Sequence, residues 1–521
     1  MPEFKPTRRL DHRPRARLRR LSRLVLPTLA LLGAMLLGSG CQSPGVDVPR
    51  LDAHTWRKVS TAHFTLVSDE TENASVQLAL DLERFRALVL RISGARLAPE
   101  PIPTKIYLFS DWGSYFAYTN GRNMLGFTYP TLRTNYLVIS PGVYKANRTR
   151  IIFHEYVHYL LRHQRIRFPT WYDEGLAEFM SDVRVRDGIA HVGNIPREGI
   201  NAYALYWRVP LQALMADDFV LDWPPSRIAS FYGQSWATVS YLMSSPARRG
   251  QLQAYLEQLN NGATRSSAFQ AAFGTDAPVL TREIRRHLHR RRLPGIAVPL
   301  AELEYPTHVT HTVLAPHQVA SDLGELTLLV GRQRAVLAQR LFEMTLAHAP
   351  DDAPARSGLA IALAQQQRYA DAISEAQRAV NTVPDSPQAH LDLAKILFGM
   401  CAAGDALAPQ ASCRPLLDAA RGHFERSMQL SPEAPEAHAG MGLALARLGE
   451  ERTRAIEHLN FAYDLSQWLP QLSLELAKLY LADGREAQAR QSLLHVIRWS
   501  RSDLQRREAE DLLARLAAPA S

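Results

Sequence analysis

The hydrophobic positions change their spacing along the chain, and this change separates two kinds of predicted structure. In the first half, short apolar runs have the length of β-strands, and two longer stretches carry apolar side chains at helical spacing. Strands followed mostly by helices predict an α+β fold for residues 54–295. The predicted strands are Thr61 to Ser68, Pro103 to Ser110, Gly126 to Tyr129 and Asn135 to Ile139, and the predicted helices cover residues 74–92 and about 147–163.

Toward the C-terminus the helical pattern repeats with a fixed period. Pro316, Pro350 and Pro384 are spaced 34 residues apart, and each is followed by two helical patterns. Gly358 and Gly440 each lie eight residues after the proline of their own repeat. Paired helices at this period resemble the tetratricopeptide repeat (TPR), and the resemblance implies an all-α solenoid that binds protein partners.

The N-terminus has the organisation of an export signal. Residues 1–23 carry nine Lys and Arg against two acidic residues, so seven of the nine net positive charges belong to them. A mostly apolar run, Leu24 to Leu37, follows, and it is too short to span a membrane comfortably. Because the charge surplus lies in this leader, we expect no nucleic-acid partner.

Small residues then precede Cys41, and the segment resembles the lipobox of bacterial lipoproteins. The resemblance implies lipidation of Cys41 and a membrane anchor. Gln42 in the next position favours the outer membrane, so we expect an envelope lipoprotein that faces the periplasm. A plain signal peptide or an uncleaved anchor is the alternative.

A chain of 521 residues is too long for one ordinary domain. Cys401 and Cys413 bracket the segment that lengthens one repeat, and we predict a disulfide between them, with two separate buried thiols as the alternative. The predicted organisation is a lipoprotein-type signal peptide (1–40), a tether (41–53), an α+β domain (54–295), a linker (296–315) and TPR repeats (316–517).

The predicted helix before residue 163 carries the chemistry. His154 and His158 are four residues apart, so both rings lie on one face of a helix and can bind one Zn²⁺ ion. Glu155 lies beside the first of them, where it can take a proton from water that the metal activates. The neighbouring positions are apolar, and polar side chains on such a helix need a partner, which a metal supplies.

A third ligand is expected on a following element. Glu174 lies 16 residues after His158, which leaves room for a turn and a returning helix. We predict that Glu174 binds the metal, and that Asp173 and Glu178 orient the ligands from behind. The alternative for these acidic residues is an ordinary acidic start of a helix.

The run His154-Glu155-x-x-His158, followed by Trp171-x-x-Glu174-Gly175-x-Ala177-Glu178, resembles the gluzincin metallopeptidases, in particular the bacterial peptidase-MA-like domains. The resemblance implies one zinc ion per chain, two His ligands and one Glu ligand, and the motif glutamate as the catalytic base. Asp173 stands where the aminopeptidases of this clan usually have Asn, so endopeptidase and exopeptidase activity both stay open.

Two further features of the site are predicted. Tyr232, in a segment that resembles the downstream helix of these domains, is the candidate donor to the oxyanion; a tyrosine of the core or of a helix cap is the alternative. Tyr203, Tyr206 and Tyr241 are its rivals. The strand from Asn135 to Ile139 is expected at the edge of a sheet above the site, where it could hold a substrate by strand addition.

The sequence therefore predicts a gluzincin-like α+β peptidase domain followed by an all-α TPR solenoid. The expected function is that of a periplasmic, lipid-anchored zinc peptidase whose repeats bind a protein substrate or partner. The alternative is an assembly or scaffold lipoprotein of the cell envelope, whose metal site is structural or weakly active.

Overall fold

The computed structural model describes most of the chain beyond the predicted leader. No helix among the described residues is both long enough and apolar enough to cross a membrane. The predicted signal peptide, Cys41 and most of the tether lie outside the described residues. The described ranges are 51–93, 102–119, 126–141, 145–162, 168–194, 209–215, 225–290, 293, 295–404, 413–466, 469–500 and 502–517.

A six-stranded mixed sheet forms the centre of the N-terminal region, with strand order β4-β5-β3-β2-β1-β9. β2, β3 and β5 run parallel to one another, whereas β1, β4 and β9 pair antiparallel to their neighbours. All four strands predicted from the sequence are present. The strands are β1 Arg57–Ser60, β2 Phe64–Ser68, β3 Thr104–Leu108, β4 Gly126–Pro130, β5 Asn135–Ile139 and β9 Thr310–Val313.

The prediction that Asn135 to Ile139 is an edge strand was wrong. β5 pairs with β3 on one side and with β4 on the other, so all five of its residues are buried inside the sheet. Among the described strands the edge is β4, which is bonded only to β5. The apolar run of β5 is typical of a central parallel strand, which has both faces covered.

Alternate residues of the central strands point to opposite faces of this sheet, and both faces are covered. Leu66, Ile106 and Leu137 pack against helices α1 (Glu72–Ser93) and α3 (Lys145–Arg162). Tyr107 and Val138 point the other way and pack against α2 (Trp112–Tyr118), α10 (Pro316–Val330) and α11 (Ala335–His348). The first helix pair of the C-terminal region is therefore part of the same layered core as the sheet.

The predicted linker, residues 296–315, contains two strands that pair with strands of the N-terminal region. Strand β8 (Ile296–Pro299) pairs with β7 (Ile189–Val192) in a small antiparallel sheet completed by β6 (Arg184–Arg186). β9 pairs with β1 some 250 residues earlier in the chain. The prediction of a linker was wrong because these strands are too short to give a local period, and their partners are distant in sequence.

The remaining helices of the N-terminal region surround the small sheet and the α3 side of the large one. The single-turn 3₁₀ helices are Leu51–Ala53, Leu300–Glu302 and Arg332–Arg334. The α-helices are α4 Thr170–Ser181, α5 Leu211–Met215, α6 Pro225–Leu242, α7 Pro246–Asn260, α8 Arg265–Phe273 and α9 Ala277–Leu288.

An ion cluster fastens α10 to the sheet. Lys105 on β3 donates to Asp322 at 2.7 Å and also pairs with Glu325, and the Tyr136 hydroxyl donates to Glu325 at 2.5 Å. Burial raises the pKa of Glu325, but Lys105 and the hydrogen bonds lower it by more, to about 2. This carboxylate therefore stabilises the fold at neutral pH.

Replacing Glu325 by Gln is expected to destabilise the protein by about 1–3 kcal/mol at pH 7, because Lys105 loses a charged partner. The pKa of Glu325 lies below its unfolded value, so its contribution is complete above the unfolded pKa and is lost as the pH falls toward 2. The difference in the free energy of unfolding between the wild type and Glu325→Gln, measured with urea, should thus shrink below about pH 4.5. Glu343→Gln, at an exposed position of α11, is the control.

Helix pairs continue to the C-terminus in the order that the sequence period predicts. Pro316 begins α10 itself, whereas Pro350 and Pro384 lie three residues before their helices, so the first pair is offset from the later ones. The helices are α12 Ala353–Gln365, α13 Tyr369–Thr382, α14 Pro387–Gly404, α15 Arg414–Leu430, α16 Pro435–Leu448, α17 Arg452–Asp464, α18 Pro470–Ala482, α19 Glu486–Trp499 and α20 Asp503–Ala517.

The recurrent glycines of the repeats have a packing role. A Cβ atom on Gly358 would lie 2.3 Å from the ring of Phe342, and one on Gly440 would lie 2.2 Å from the ring of Phe424. Each ring comes from the second helix of the preceding pair. The enlarged repeat is closed by a disulfide between Cys401 and Cys413, whose Cα atoms are 5.2 Å apart.

Candidate metal centre

Helix α3 carries the two histidines on one face. Ile152, Phe153 and Val157 turn into the core, which leaves His154 and His158 one turn apart on an adjacent side. Their Nε2 atoms are 3.1 Å apart. His158 is buried, and His154 is partly exposed.

Helix α4 brings Glu174 to the same point. Its Oε2 atom lies 3.4 Å from the Nε2 atom of each histidine. Three ligands of a tetrahedral zinc ion, at bond lengths of about 2.0–2.1 Å, are separated from one another by about 3.3 Å. The three observed separations therefore match the triangular face of a zinc shell.

Two carboxylates face the Nδ1 atoms of the histidines, which leaves the Nε2 atoms toward Glu174. Asp173 lies 2.8 Å from Nδ1 of His158, and Glu178 lies 3.4 Å from Nδ1 of His154. Arg150 donates to Glu178 at 3.0 Å and holds that carboxylate in place. With the protons on Nδ1, both Nε2 atoms present lone pairs to the centre.

When both Nε2 atoms are unprotonated, three lone pairs converge at this point. Glu174 Oε2 is buried, and it lies 3.4 Å from the Nε2 atom of each imidazole. Buried acceptors that face one another are costly unless a cation lies between them. The two imidazoles and the carboxylate fit a zinc ion, which prefers mixed nitrogen and oxygen ligands of this kind.

The pKa values of His158 and Glu174 also indicate a site that suits a cation. Burial lowers the pKa of His158, but Asp173 and Glu174 raise it by more, to well above its usual value. Burial raises the pKa of Glu174, but His158 and His154 lower it by more. The site therefore favours positive charge, and a metal must displace protons there, so metal affinity is expected to fall at acid pH.

Glu155 follows His154 on α3 and has a partner that the sequence did not reveal. Thr128, on the edge strand β4, donates its hydroxyl proton to Glu155 Oε2 at 2.6 Å. This contact could not be predicted from the sequence, because Thr128 lies on a strand 27 residues before Glu155. The hydrogen bond fixes the orientation of the carboxylate that is predicted to act as the base.

Tyr232, on α6, points toward the same group of carboxylates. Burial raises the pKa of its hydroxyl most, and Glu174, Glu155 and Glu178 raise it further. The hydroxyl therefore stays protonated at neutral pH and can act as a donor. Tyr241, one of its rivals, donates to Glu283 at 2.5 Å instead, and Tyr203 and Tyr206 lie outside the described residues.

A glycine sets how closely Glu174 approaches the histidines. Gly175 lies where α4 crosses α6, and a Cβ atom there would be 2.5 Å from the carbonyl oxygen of Ser235 and 2.7 Å from a methyl group of Val239. Any side chain at this position must push the helices apart. The helix that carries Glu174 would move with it.

Gly175→Ala is therefore expected to destabilise the protein by about 1–3 kcal/mol and to weaken metal binding. Urea unfolding and metal content report the two effects. Gly250→Ala is the matched control, since that glycine lies in helix α7 with open space around it. It should leave metal binding unchanged and raise stability by up to about 1 kcal/mol.

A second set of potential ligands lies at the carboxyl ends of β2 and β3. His54 Nε2 is 3.3 Å from Asp111 Oδ2, and His54 Nδ1 is 3.9 Å from Asp69 Oδ2. Asp69 Oδ2 and Asp111 Oδ2 are buried and have no hydrogen-bond partner within the described residues. Their distances from His54 are uneven, unlike the nearly regular triangle at the first centre.

Comparisons with known proteins concern the repeats. A tetratricopeptide-repeat family model matches residues 329–396. TTC0263, a thermophilic TPR protein of Thermus thermophilus, is 23% identical and covers 38% of this chain and 99% of its own, with a TM-score of 0.32. The pilF protein of Pseudomonas aeruginosa is 17% identical and covers 39% of this chain and 88% of its own, with a TM-score of 0.32. YrrB, described as a TPR protein with an unusual peptide-binding site, is 14% identical and covers 37% of this chain and 90% of its own, with a TM-score of 0.28.

The search of curated proteins found no match. The family match identifies TPR repeats in the C-terminal region, as the 34-residue period predicts. Repeats of this class present extended surfaces to other proteins, so the C-terminal region has the architecture of a protein-binding scaffold. The candidate metal centre lies outside the matched residues.

Proposed function

We propose that the protein is a zinc-dependent peptidase of the gluzincin type whose TPR repeats bind a protein substrate or partner. The observation that carries the proposal is the convergence of His154 Nε2, His158 Nε2 and Glu174 Oε2 at mutual distances of 3.1–3.4 Å, with Glu155 alongside. A structural zinc site needs no acid-base group beside it, whereas a hydrolytic site does.

The residues around the centre have distinct roles in this proposal. Zinc, when bound, polarises a carbonyl group and lowers the pKa of water. Glu155, held by Thr128, takes a proton from the attacking water and delivers it to the leaving amine. Tyr232, which stays protonated, donates a hydrogen bond to the oxyanion. The free edge of β4 offers its backbone to an extended substrate.

The proposed location is the bacterial cell envelope. The leader and Cys41 support an outer-membrane lipoprotein that faces the periplasm, and the disulfide between Cys401 and Cys413 is typical of that oxidising compartment. The membrane contact would be the lipid at Cys41. A substrate of this enzyme would therefore be a peptide or a protein of the envelope.

The second candidate is an assembly or scaffold protein whose metal site is structural or weakly active. The match of residues 329–396 to the tetratricopeptide-repeat family favours this function more directly than it favours hydrolysis. In this case the repeats perform the main work by binding partners. The two candidates differ in whether the fourth zinc position is open to substrate.

Removal and return of the metal separates the two candidates. Protein without residues 1–41 is purified, and its zinc content and its hydrolysis of casein are measured before and after treatment with 1,10-phenanthroline. A peptidase should contain one zinc ion per chain, lose activity at least 100-fold with the chelator (on the order of a lost catalytic group), and regain it with Zn²⁺. One bound zinc without hydrolysis would support the scaffold, and full activity without zinc would refute both.

A further inference from the structure

The turn between β4 and β5 of the N-terminal region lies against the repeats of the same chain. This turn, Thr131 to Thr134, is held by its own hydrogen bonds: Thr131 Oγ1 donates to the carbonyl oxygen of Thr134 at 2.8 Å and accepts from the backbone N–H groups of Arg133 and Thr134. The two central residues, Leu132 and Arg133, project toward the repeats.

Leu132 fills an apolar part of the repeat surface. It packs against a cluster formed by α16, α17 and α18, which includes Ala439 and Leu472. α14, α16 and α18 are the first helices of successive pairs, and neighbouring members of this set contact one another. We call the surface that these three helices form beside the turn the docking face.

Arg133 lies over an acidic part of the docking face. Its guanidinium is 3.6 Å from Asp392 on α14, whose side chain is 1% exposed. Burial lowers the pKa of Arg133, but Asp392, Glu325 on α10, Tyr136 and, least of these, Glu436 on α16 raise it by more. Lys395 pairs with one oxygen of Glu436, so the face combines two carboxylates with a single lysine.

These carboxylates have more acceptor capacity than the turn uses. Asp392 Oδ2 and Glu436 Oε2 are both buried, and neither has a hydrogen-bond partner within the described residues. Burial raises the pKa of Asp392, which is the signature of a carboxylate without enough donors. An arginine in a better position could satisfy both, since its guanidinium offers five donors in one plane.

We infer that the docking face is a binding site for a peptide turn that presents a leucine followed by an arginine, and that the β4–β5 turn occupies it in cis. A partner with this pair of residues competes with the turn for the same helices. Its arginine reaches the free oxygens of Asp392 and Glu436, and its leucine replaces Leu132 beside Ala439.

Displacement of the turn acts on the metal centre through β4. Thr128 lies three residues before the turn on the same strand, and it holds Glu155. Within the described sheet β4 is bonded to one neighbouring strand, so it loses much of its support when the turn leaves the docking face. This last link rests on the proposed function of Glu155, whereas the binding site does not.

The test uses a synthetic, fluorescent peptide with the sequence of residues 129–136 (Tyr-Pro-Thr-Leu-Arg-Thr-Asn-Tyr) and the full-length chain. In the wild type, the cis turn competes at an effective concentration of about 1 mM. A Leu132→Ala/Arg133→Ala variant should therefore bind the peptide at least ten-fold more tightly than the wild type, by fluorescence anisotropy. A peptide with Ala-Ala in place of Leu-Arg is the control.

Adding Asp392→Asn or Glu436→Gln to that variant should remove the gain, and circular dichroism checks that each variant is folded. Saturation of the wild type with peptide should speed hydrogen exchange at residues 126–130. Equal affinity in the wild type and the Leu132→Ala/Arg133→Ala variant, or binding by the folded triple variants as tight as by the double one, would overturn the inference. Both readouts can be repeated in Glu155→Gln, so a failure of hydrolysis does not affect them.

Discussion

Glu155→Gln is expected to abolish peptide hydrolysis while one zinc ion per chain stays bound. The amide of Gln can still accept the hydrogen bond from Thr128, so the side chain should keep its position. It cannot take a proton from water, and loss of a general base lowers the rate by about 10²–10⁴-fold. The measurement is the initial rate of casein hydrolysis, with zinc content determined on the same sample.

Glu302→Gln is the matched control, because it makes the same change at an exposed position in a single-turn helix. It should leave rate and zinc content unaltered. Equal rates of hydrolysis for Glu155→Gln and the wild type, with zinc present in both, would rule out the role assigned to Glu155, and zinc without hydrolysis in the wild type would favour the scaffold function.

Glu174→Ala is expected to lose zinc almost completely, and Asp173→Ala is expected to lose it in part. Glu174 contributes one of the three converging atoms, so its removal leaves two imidazoles and an incomplete shell. Asp173 acts only through Nδ1 of His158, and loss of such a supporting carboxylate lowers metal affinity by about 10–100-fold. Competition with a fluorescent zinc chelator measures both affinities.

The order of these effects distinguishes ligands from their supports. Glu178→Ala should lower zinc affinity by no more than Asp173→Ala does. Glu178 faces Nδ1 of His154 in the same way, but at the longer distance of 3.4 Å. If Asp173→Ala weakened zinc binding more than Glu174→Ala, the assignment of the third ligand would be wrong.

Much of this architecture follows from local sequence patterns. The four predicted strands and helix α1 are present within a few residues of their expected bounds, because each has a run or a period of its own. Gly358 and Gly440 recur because an aromatic ring packs on each. The grouping of His154, His158 and Glu174 follows from helical spacing and a short return.

Other features depend on contacts between distant parts of the chain. β8 and β9 contain four residues each, and their partners lie more than 100 residues away, so no local period marks them. The contact between Thr128 and Glu155 depends on the register of β4 with β5, and the contact between Arg133 and Asp392 depends on how the repeats pack. The hairpin of β6 and β7 does have a local signal. Asp187-Gly188 is a typical hairpin turn, and both residues have positive φ.

The location of the metal tests the central claim most directly. Crystals of the protein without residues 1–41 are measured on both sides of the zinc absorption edge, and an anomalous difference map is calculated. One peak is expected, about 2.0–2.1 Å from Nε2 of His154, Nε2 of His158 and a carboxylate oxygen of Glu174. A map without a peak at that point, or with its zinc peak beside His54 instead, would contradict the assignment of these three ligands.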